Sequence, residues 1–279
     1  MKTLLLILFS VIPMLFLYAQ ENHPCCKEDA LTKFANFGKD ISFVDVHNEP
    51  GDYKLTEEKG TMITFNTSDG KTGGGYEVKA STKTNKYLFL FHEWYGLNDY
   101  IKKECENWSA ELGVNVIGID LYDGKVAANN QEASQYVQSV DKERGLNIIA
   151  GVRDYAPSDA IFATMGWCFG GGWSNQASIF LEDRSKACVI YYGMPEEDTE
   201  RLAKLTAPVL GIFASQDAKI NSDIVKKFEE NMNSLGKKVT TKTYDAVHGF
   251  ANPSNPKHDV TATADAKATV TSFLNENFK

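Results

Sequence analysis

The chain has 279 residues, enough to bury the core of one large domain or two small ones. Its 29 Lys and Arg against 37 Asp and Glu leave a formal charge of −8, and no basic cluster offsets it, which disfavours a nucleic-acid surface. With 43% hydrophobic and 24% charged residues the chain is not disordered, and five cysteines do not make it a disulfide-dense miniprotein.

Lys2 precedes an apolar run over residues 4–18, and Ala19-Gln20 then open a polar stretch. A positive start, a short apolar core and a small residue near its end read as a signal peptide over 1–20, which places the mature chain in the periplasm or outside the cell. The run is short for a span of about 20 residues and Pro13 interrupts it, although an uncleaved anchor is the competing reading. No small-residue lipobox precedes Cys25 or Cys26. Residues 21–58 form a polar, weakly patterned extension, with a short helix predicted over 27–37 from Leu31, Phe34 and Phe37. Strands are predicted at 61–66 and 76–80, joined through Asp69-Gly70 and Gly73-Gly74-Gly75, which read as the hairpin loop.

An alternation follows. Strands are predicted at 87–92, 114–120, 161–167, 187–192, 208–214 and 238–244. Helical segments are predicted at 98–112, 131–155, 169–181, 222–235 and 260–278. Strand–helix alternation over this length predicts an α/β fold: a mostly parallel central sheet with helices on both faces. The economical division is a signal at 1–20, an extension at 21–58 and one domain at 59–279.

Gly166-Trp167-Cys168-Phe169-Gly170 falls between a predicted strand and a predicted helix, the setting of a nucleophile elbow. Glycines two residues to either side let neighbouring backbone pass the strained turn, and the helix N-terminus favours a thiolate at Cys168. A buried structural cysteine beside a glycine-rich helix start is the alternative. In an elbow fold the order is nucleophile, acid, base. Asp217 follows one later predicted strand and His248 the next. Of the other histidines, His23 and His47 lie in the N-terminal tail and extension, His92 precedes the nucleophile, and His258 lies in a loop too far past its strand. His248 is therefore the candidate base and Asp217 the group that orients it. Taken singly, Asp217 also reads as a turn aspartate and His248 as a loop histidine.

Four segments, Gly166-Trp167-Cys168-Phe169-Gly170-Gly171, His92-Glu93-Trp94-Tyr95-Gly96-Leu97-Asn98, Tyr191-Tyr192-Gly193 and His248-Gly249-Phe250, together resemble the dienelactone hydrolase family over about residues 60–279. The resemblance implies an α/β-hydrolase fold, a Cys-His-Asp triad and hydrolysis of small esters or lactones without a cofactor. It further implies that Glu93 hydrogen-bonds the resting thiol and holds it away from the histidine, and that the backbone N–H groups of Trp94 and Phe169 form an oxyanion hole. It makes Tyr136 and Tyr192 pocket residues. Where dienelactone-cleaving members carry two arginines for the substrate carboxylate, this chain has Glu132 and Asn252. A substrate other than dienelactone is therefore expected.

No metal-ligand spacing and no dinucleotide fingerprint is present, so no cofactor and no metal are expected. Cys105 and Cys188 read as buried thiols, either of which is a potential partner for Cys25 or Cys26. The expected partner is a small-molecule ester or lactone, with no nucleic acid and no stable membrane span after signal cleavage, and the chain is expected to be a monomer. A non-catalytic small-molecule binding protein is the main rival reading, and thiol redox chemistry at Cys168 a weaker one.

Overall fold

The computed structural model describes residues 28–279. The predicted signal at 1–20, Cys25 and Cys26 lie outside the described residues. Two short helices, α1 (Ala30–Phe37) and α2 (Ile41–Val44), come first. Asp29 caps α1 by accepting the backbone N–H groups of Leu31 and Thr32, and Asp40 caps α2 through Ser42 N–H. Then follow β1 (Thr61–Asn66), β2 (Thr72–Val78), β3 (Lys86–Phe91), α3 (Asp99–Leu112), β4 (Asn115–Asp120), α4 (Asn130–Ser139), α5 (Lys142–Tyr155), β5 (Ile161–Trp167) and α6 (Phe169–Leu181). The chain closes with β6 (Ser185–Tyr191), α7 (Thr199–Leu202), β7 (Val209–Ala214), α8 (Ser222–Ser234), β8 (Val239–Tyr244) and α9 (Val260–Asn277).

The eight strands form one sheet in the order β1-β2-β4-β3-β5-β6-β7-β8. The β1–β2 and β2–β4 pairs are antiparallel and the remaining pairs are parallel. Every residue of β4 and β7, and nearly every residue of β3, β5 and β6, is buried. Successive side chains point to opposite faces, so both faces of the central sheet are covered. The α/β prediction holds. No helix among the described residues is long and apolar enough to cross a membrane.

Two local expectations are corrected. The turn falls at Asp69-Gly70 as expected, but Gly73, Gly74 and Gly75 lie inside β2 and not in the loop. A Cβ on Gly73 would lie 2.3 Å from the Phe65 ring, so the glycine makes room for an aromatic side chain within the ladder. The predicted helical stretch at 131–155 is two helices, broken where Val140 turns extended and Asp141 caps α5 through Arg144 N–H.

The extension is packed onto the domain. Phe34 and Phe43 are each 2% exposed. Phe34 meets Phe169 with ring centroids 6.0 Å apart, and Phe43 meets Trp94 at 5.8 Å and His248 at 5.3 Å. Polar contacts surround this aromatic seam. Ser134 donates to Gly38 O at 2.6 Å, Asn130 donates to Val44 O at 3.2 Å, and Lys33 pairs with Glu197 at 2.6 Å. Ion pairs at the surface add little, so the buried rings carry most of the docking energy.

Candidate active site

Parallel strands present their C-terminal ends at one edge of the sheet, and the triad and its nearest domain neighbours leave the sheet there. Glu93 and Trp94 follow β3, Cys168 follows β5, Tyr192 follows β6, Asp217 follows β7 and His248 follows β8. Because β3, β5, β6, β7 and β8 are consecutive neighbours in the sheet, residues far apart in the chain converge.

Cys168 sits at φ 54° and ψ −118°, a left-handed backbone that side chains rarely adopt. The turn is tight enough that a Cβ on Gly166 would lie 2.2 Å from Gly170 O, and one on Gly170 would lie 2.2 Å from Phe91 O. These two positions therefore require glycine. Cys168 Sγ lies 3.2 Å from His248 Nε2, and His248 Nδ1 lies 2.5 Å from Asp217 Oδ2. The other Asp217 oxygen accepts the N–H groups of Lys219 at 2.8 Å and Ile220 at 2.9 Å. Burial works against the Asp217 carboxylate, but His248 and these N–H groups hold its pKa below the ordinary value. Burial likewise works against a charged His248, yet Cys168 and Asp217 outweigh it and hold its pKa above the histidine range. Burial pushes the Cys168 thiol up, and His248 pulls part of that back. The three groups predicted from their order are thus joined in one hydrogen-bonded chain. Its geometry permits transfer of the thiol proton to the imidazole and its return.

His47, which its place in the extension excludes as the triad base by chain order, is brought to the thiol by the fold. Its Nε2 lies 3.4 Å from Cys168 Sγ, and its Nδ1 lies 2.7 Å from Phe43 O. The ring stacks on Trp94 with centroids 4.5 Å apart and planes 19° apart, and it meets the His248 ring edge-on at 5.3 Å. Burial first, and His248 second, push the His47 pKa down to about 3, so the ring is neutral. A trace of this role exists in the sequence: Phe34, Phe37 and Phe43 make an otherwise polar extension apolar on one side, and such a face needs a surface to cover.

Glu93 is not on the thiol. Its carboxylate accepts Tyr192 OH at 3.1 Å and the Asn252 amide. The directions around the sulfur are taken by His248 and His47, so Glu93 turns to the two donors beside it. Asn252, expected to matter as a missing cation, thus has a definite contact: it secures Glu93. Glu132 closes the start of α4, accepting Ala128 N–H at 3.0 Å, and does not reach the site. Tyr136 is also elsewhere. It lines a separate cavity with Tyr122, Asp123 and Arg144, while the opposite side of α4, at Asn130 and Ser134, docks against the extension. The Phe169 N–H, at the start of α6 directly after Cys168, favours negative charge on the sulfur. The Trp94 N–H meets no acceptor among the described residues.

Burial raises the Glu93 carboxyl from 4.5 to about 7, against the pull of Tyr192, His248 and Asn252. The folded protein therefore holds this proton more tightly than the unfolded chain. The resulting stability is complete below about pH 4.5 and is lost as pH rises through about 7. Glu93→Gln removes that dependence. Relative to wild type, the variant should gain up to roughly 3 kcal/mol between pH 4.5 and pH 8, less to the extent that the adjoining cavities solvate the carboxylate. Urea unfolding of both proteins at the two pH values reads this difference, and a difference that does not change with pH refutes it.

Two cavities meet at Glu93 and Asn252. The one against the thiol is about 20 Å³, room for about one water, and is lined by His47, Trp94, Cys168 and His248 among others. The second is about 350 Å³ and aromatic, with Tyr53, Tyr100, Trp108, Trp167 and Tyr191 in its wall. The docked extension keeps the first one small. Phe43→Ala is expected to cost about 3 kcal/mol or more of stability and to speed alkylation of Cys168 by iodoacetamide severalfold. Peptide mapping of the labelled cysteine checks this, and an unchanged alkylation rate would show that Phe43 does not shield the thiol.

Comparison with known proteins identifies the family. Residues 75–278 match the model of the dienelactone hydrolase family. The chain belongs to the dienelactone hydrolase family. It is an ester-bond hydrolase with the α/β-hydrolase fold. Carboxymethylenebutenolidase 1 of Cupriavidus pinatubonensis is 24% identical over 227 residues, covering 76% of this chain and 95% of that relative. Protein usf of Aquifex pyrophilus is 25% identical over 211 residues, covering 69% and 87%. Among solved structures, a putative dienelactone hydrolase from Klebsiella pneumoniae superposes with a TM-score of 0.65 at 18% identity, covering 77% of this chain and 99% of that one. A dienelactone hydrolase-like promiscuous phosphotriesterase from metagenomic libraries superposes with a TM-score of 0.68 at 19% identity, covering 78% and 99%.

Proposed function

We propose that this family member cleaves small neutral esters or lactones through a Cys168–His248–Asp217 triad. The observation that carries the reading is the continuous hydrogen-bonded chain from the Cys168 sulfur through His248 to Asp217, at the tip of a strained elbow. His248 takes the thiol proton as Cys168 Sγ attacks the carbonyl carbon. The oxyanion is held by the N–H groups of Phe169 and Trp94. His248 returns the proton to the leaving alkoxide, which departs as the alcohol and leaves a thioester on Cys168. Water, deprotonated by His248, attacks the thioester, releases the carboxylic acid and restores the thiol.

The substrate class follows from what surrounds the triad. Neither Glu132 nor Asn252 provides a cation for a substrate carboxylate, and Asn252 is engaged with Glu93. The cavity beyond the Glu93–Asn252 pair is walled mainly by aromatic rings, and of the two lysines in its wall Lys103 pairs with Glu106 while Lys267 lies over the Trp108 ring. An uncharged aromatic or bulky apolar ester fits these walls better than dienelactone does. Productive binding requires the Glu93–Asn252 partition or the docked extension to move, because the space at the sulfur holds no more than about one water. A monomer is the working unit of this reading. The apolar start of the sequence supports export.

The test is a panel of neutral aromatic esters and lactones beside dienelactone, with wild type, Cys168→Ala and His248→Ala. Turnover of neutral esters that exceeds dienelactone turnover and disappears in both variants supports the reading. Ligand binding with no turnover by any of the three proteins favours the non-catalytic rival, and peroxide consumption that tracks Cys168 without ester cleavage favours redox chemistry.

A further inference from the structure

His47 Nε2, Cys168 Sγ and His248 Nε2 lie within 4.8 Å of one another. The hydrogen bonds on the far sides of both rings show how those atoms are presented. Phe43 O can only accept, so His47 Nδ1 carries the proton and leaves Nε2 as a bare lone pair aimed at the sulfur. Asp217 likewise holds the Nδ1 proton of His248, so its Nε2, turned toward the sulfur, offers a lone pair once the proton it shares with Cys168 has left. One S–H can serve only one of these two nitrogens at a time. Imidazoles fixed at Nδ1 by a carbonyl or a carboxylate, with Nε2 turned to a common point, are the arrangement in which histidines ligate metal ions. Tetrahedral zinc with Zn–S and Zn–N bonds of about 2.3 and 2.0 Å separates sulfur and nitrogen by about 3.5 Å. The observed separations are 3.2 and 3.4 Å.

We propose that His47, Cys168 and His248 form a three-ligand site for a thiophilic cation, Zn²⁺ in the first instance, with the fourth position facing the small cavity beside Glu93. One thiolate and two imidazoles suit zinc and not the oxygen-seeking Mg²⁺. On binding, the Cys168–His248 pair gives up one proton to solvent, the sulfur lone pair forms the Zn–S bond, and both imidazoles bind neutral. Ligand spacing in the sequence could not show this, because the three residues stand 121 and 80 positions apart. Since His47 belongs to the extension and the other two ligands to the domain, the ion also ties the extension over the thiol. Inhibition of ester cleavage by the ion rests on the nucleophile reading above, whereas binding itself does not.

The experiment titrates the purified full chain with Zn²⁺ alone, using Mg²⁺ as control, in wild type, Cys168→Ala and His47→Phe. His47→Phe keeps an aromatic ring stacked on Trp94 and removes only the ligating nitrogen. One equivalent of Zn²⁺ is expected, with affinity at least tenfold weaker in His47→Phe and no effect of Mg²⁺. Co²⁺ in place of Zn²⁺ is expected to give a thiolate-to-cobalt charge-transfer band that is absent in Cys168→Ala. X-ray absorption of zinc-loaded wild type needs no variant, and one sulfur and two imidazole nitrogens are expected around the ion. Wild-type affinity in a folded His47→Phe, a cobalt band that survives Cys168→Ala, or a zinc shell with fewer than two imidazoles overturns the site. If these binding signatures appear but metal-free wild type cleaves no ester, the hydrolase reading fails and the metal site stands. If ester cleavage is robust and Zn²⁺ neither binds nor inhibits, the metal site fails and the hydrolase reading stands.

Discussion

Cys168→Ala is expected to lower kcat for ester cleavage by at least about 10³-fold, with KM changed far less. Among the described residues the sulfur is the group lifted to the end of the His248–Asp217 chain, and alanine leaves no nucleophile there. Whatever rate survives comes from the pocket and the oxyanion donors acting on bulk water. His248→Ala should lose a comparable factor, and the double variant should lose little more, because the two groups act on one proton. Steady-state kinetics of the three variants on one neutral ester reads this. A double variant whose losses multiply would mean that Cys168 and His248 act independently and that the triad reading is wrong.

Gly170→Ala is expected to destabilise the domain by about 3 kcal/mol or more, a large share of the total stability of a domain. The added Cβ would stand 2.2 Å from Phe91 O and 2.5 Å from His92 O. Both are backbone atoms at the end of β3, so neither can swing aside as a side chain would. Relief requires α6 to move off the sheet, and that displaces Cys168 at its N-terminus. Stability and activity should therefore fall together. Gly172→Ala is the control, since beyond its own helix its Cβ would come no closer than 3.1 Å, to Met194 O. Chemical denaturation of the two variants should separate them by more than 1 kcal/mol, and equal midpoints would show that the elbow tolerates a Cβ.

The elements that could be read from the chain were those whose causes are local. β5 and α6 begin and end at the predicted residues because a continuous apolar run meets a glycine-rich turn there. Asp217 and His248 were legible because strand order alone carries them to the same edge. Glu93 shows where this stops. Its position after β3 was correct, but its partners were not, since a carboxylate bonds whichever donors packing brings, here Tyr192 and Asn252. Tyr136 was misplaced because the face that α4 turns to the site depends on how the extension docks, and no periodicity within α4 encodes that.

By itself, then, the sequence determined the mostly parallel sheet, the strained glycine-flanked turn at Cys168 and the succession Cys168, Asp217, His248. Each follows from hydrophobic pattern, backbone sterics or chain order, which act over a few residues or along the connection of strands. Only the tertiary structure decided that His47 joins them. The histidine lies 121 residues from Cys168 in a weakly patterned segment. It is held at the thiol by Phe43, by the Trp94 ring and by Tyr95, whose hydroxyl donates to His47 O at 3.1 Å. Burial of aromatic surface has no sequence period when its two sides come from distant parts of the chain, so this partner becomes visible only after the chain has folded onto itself.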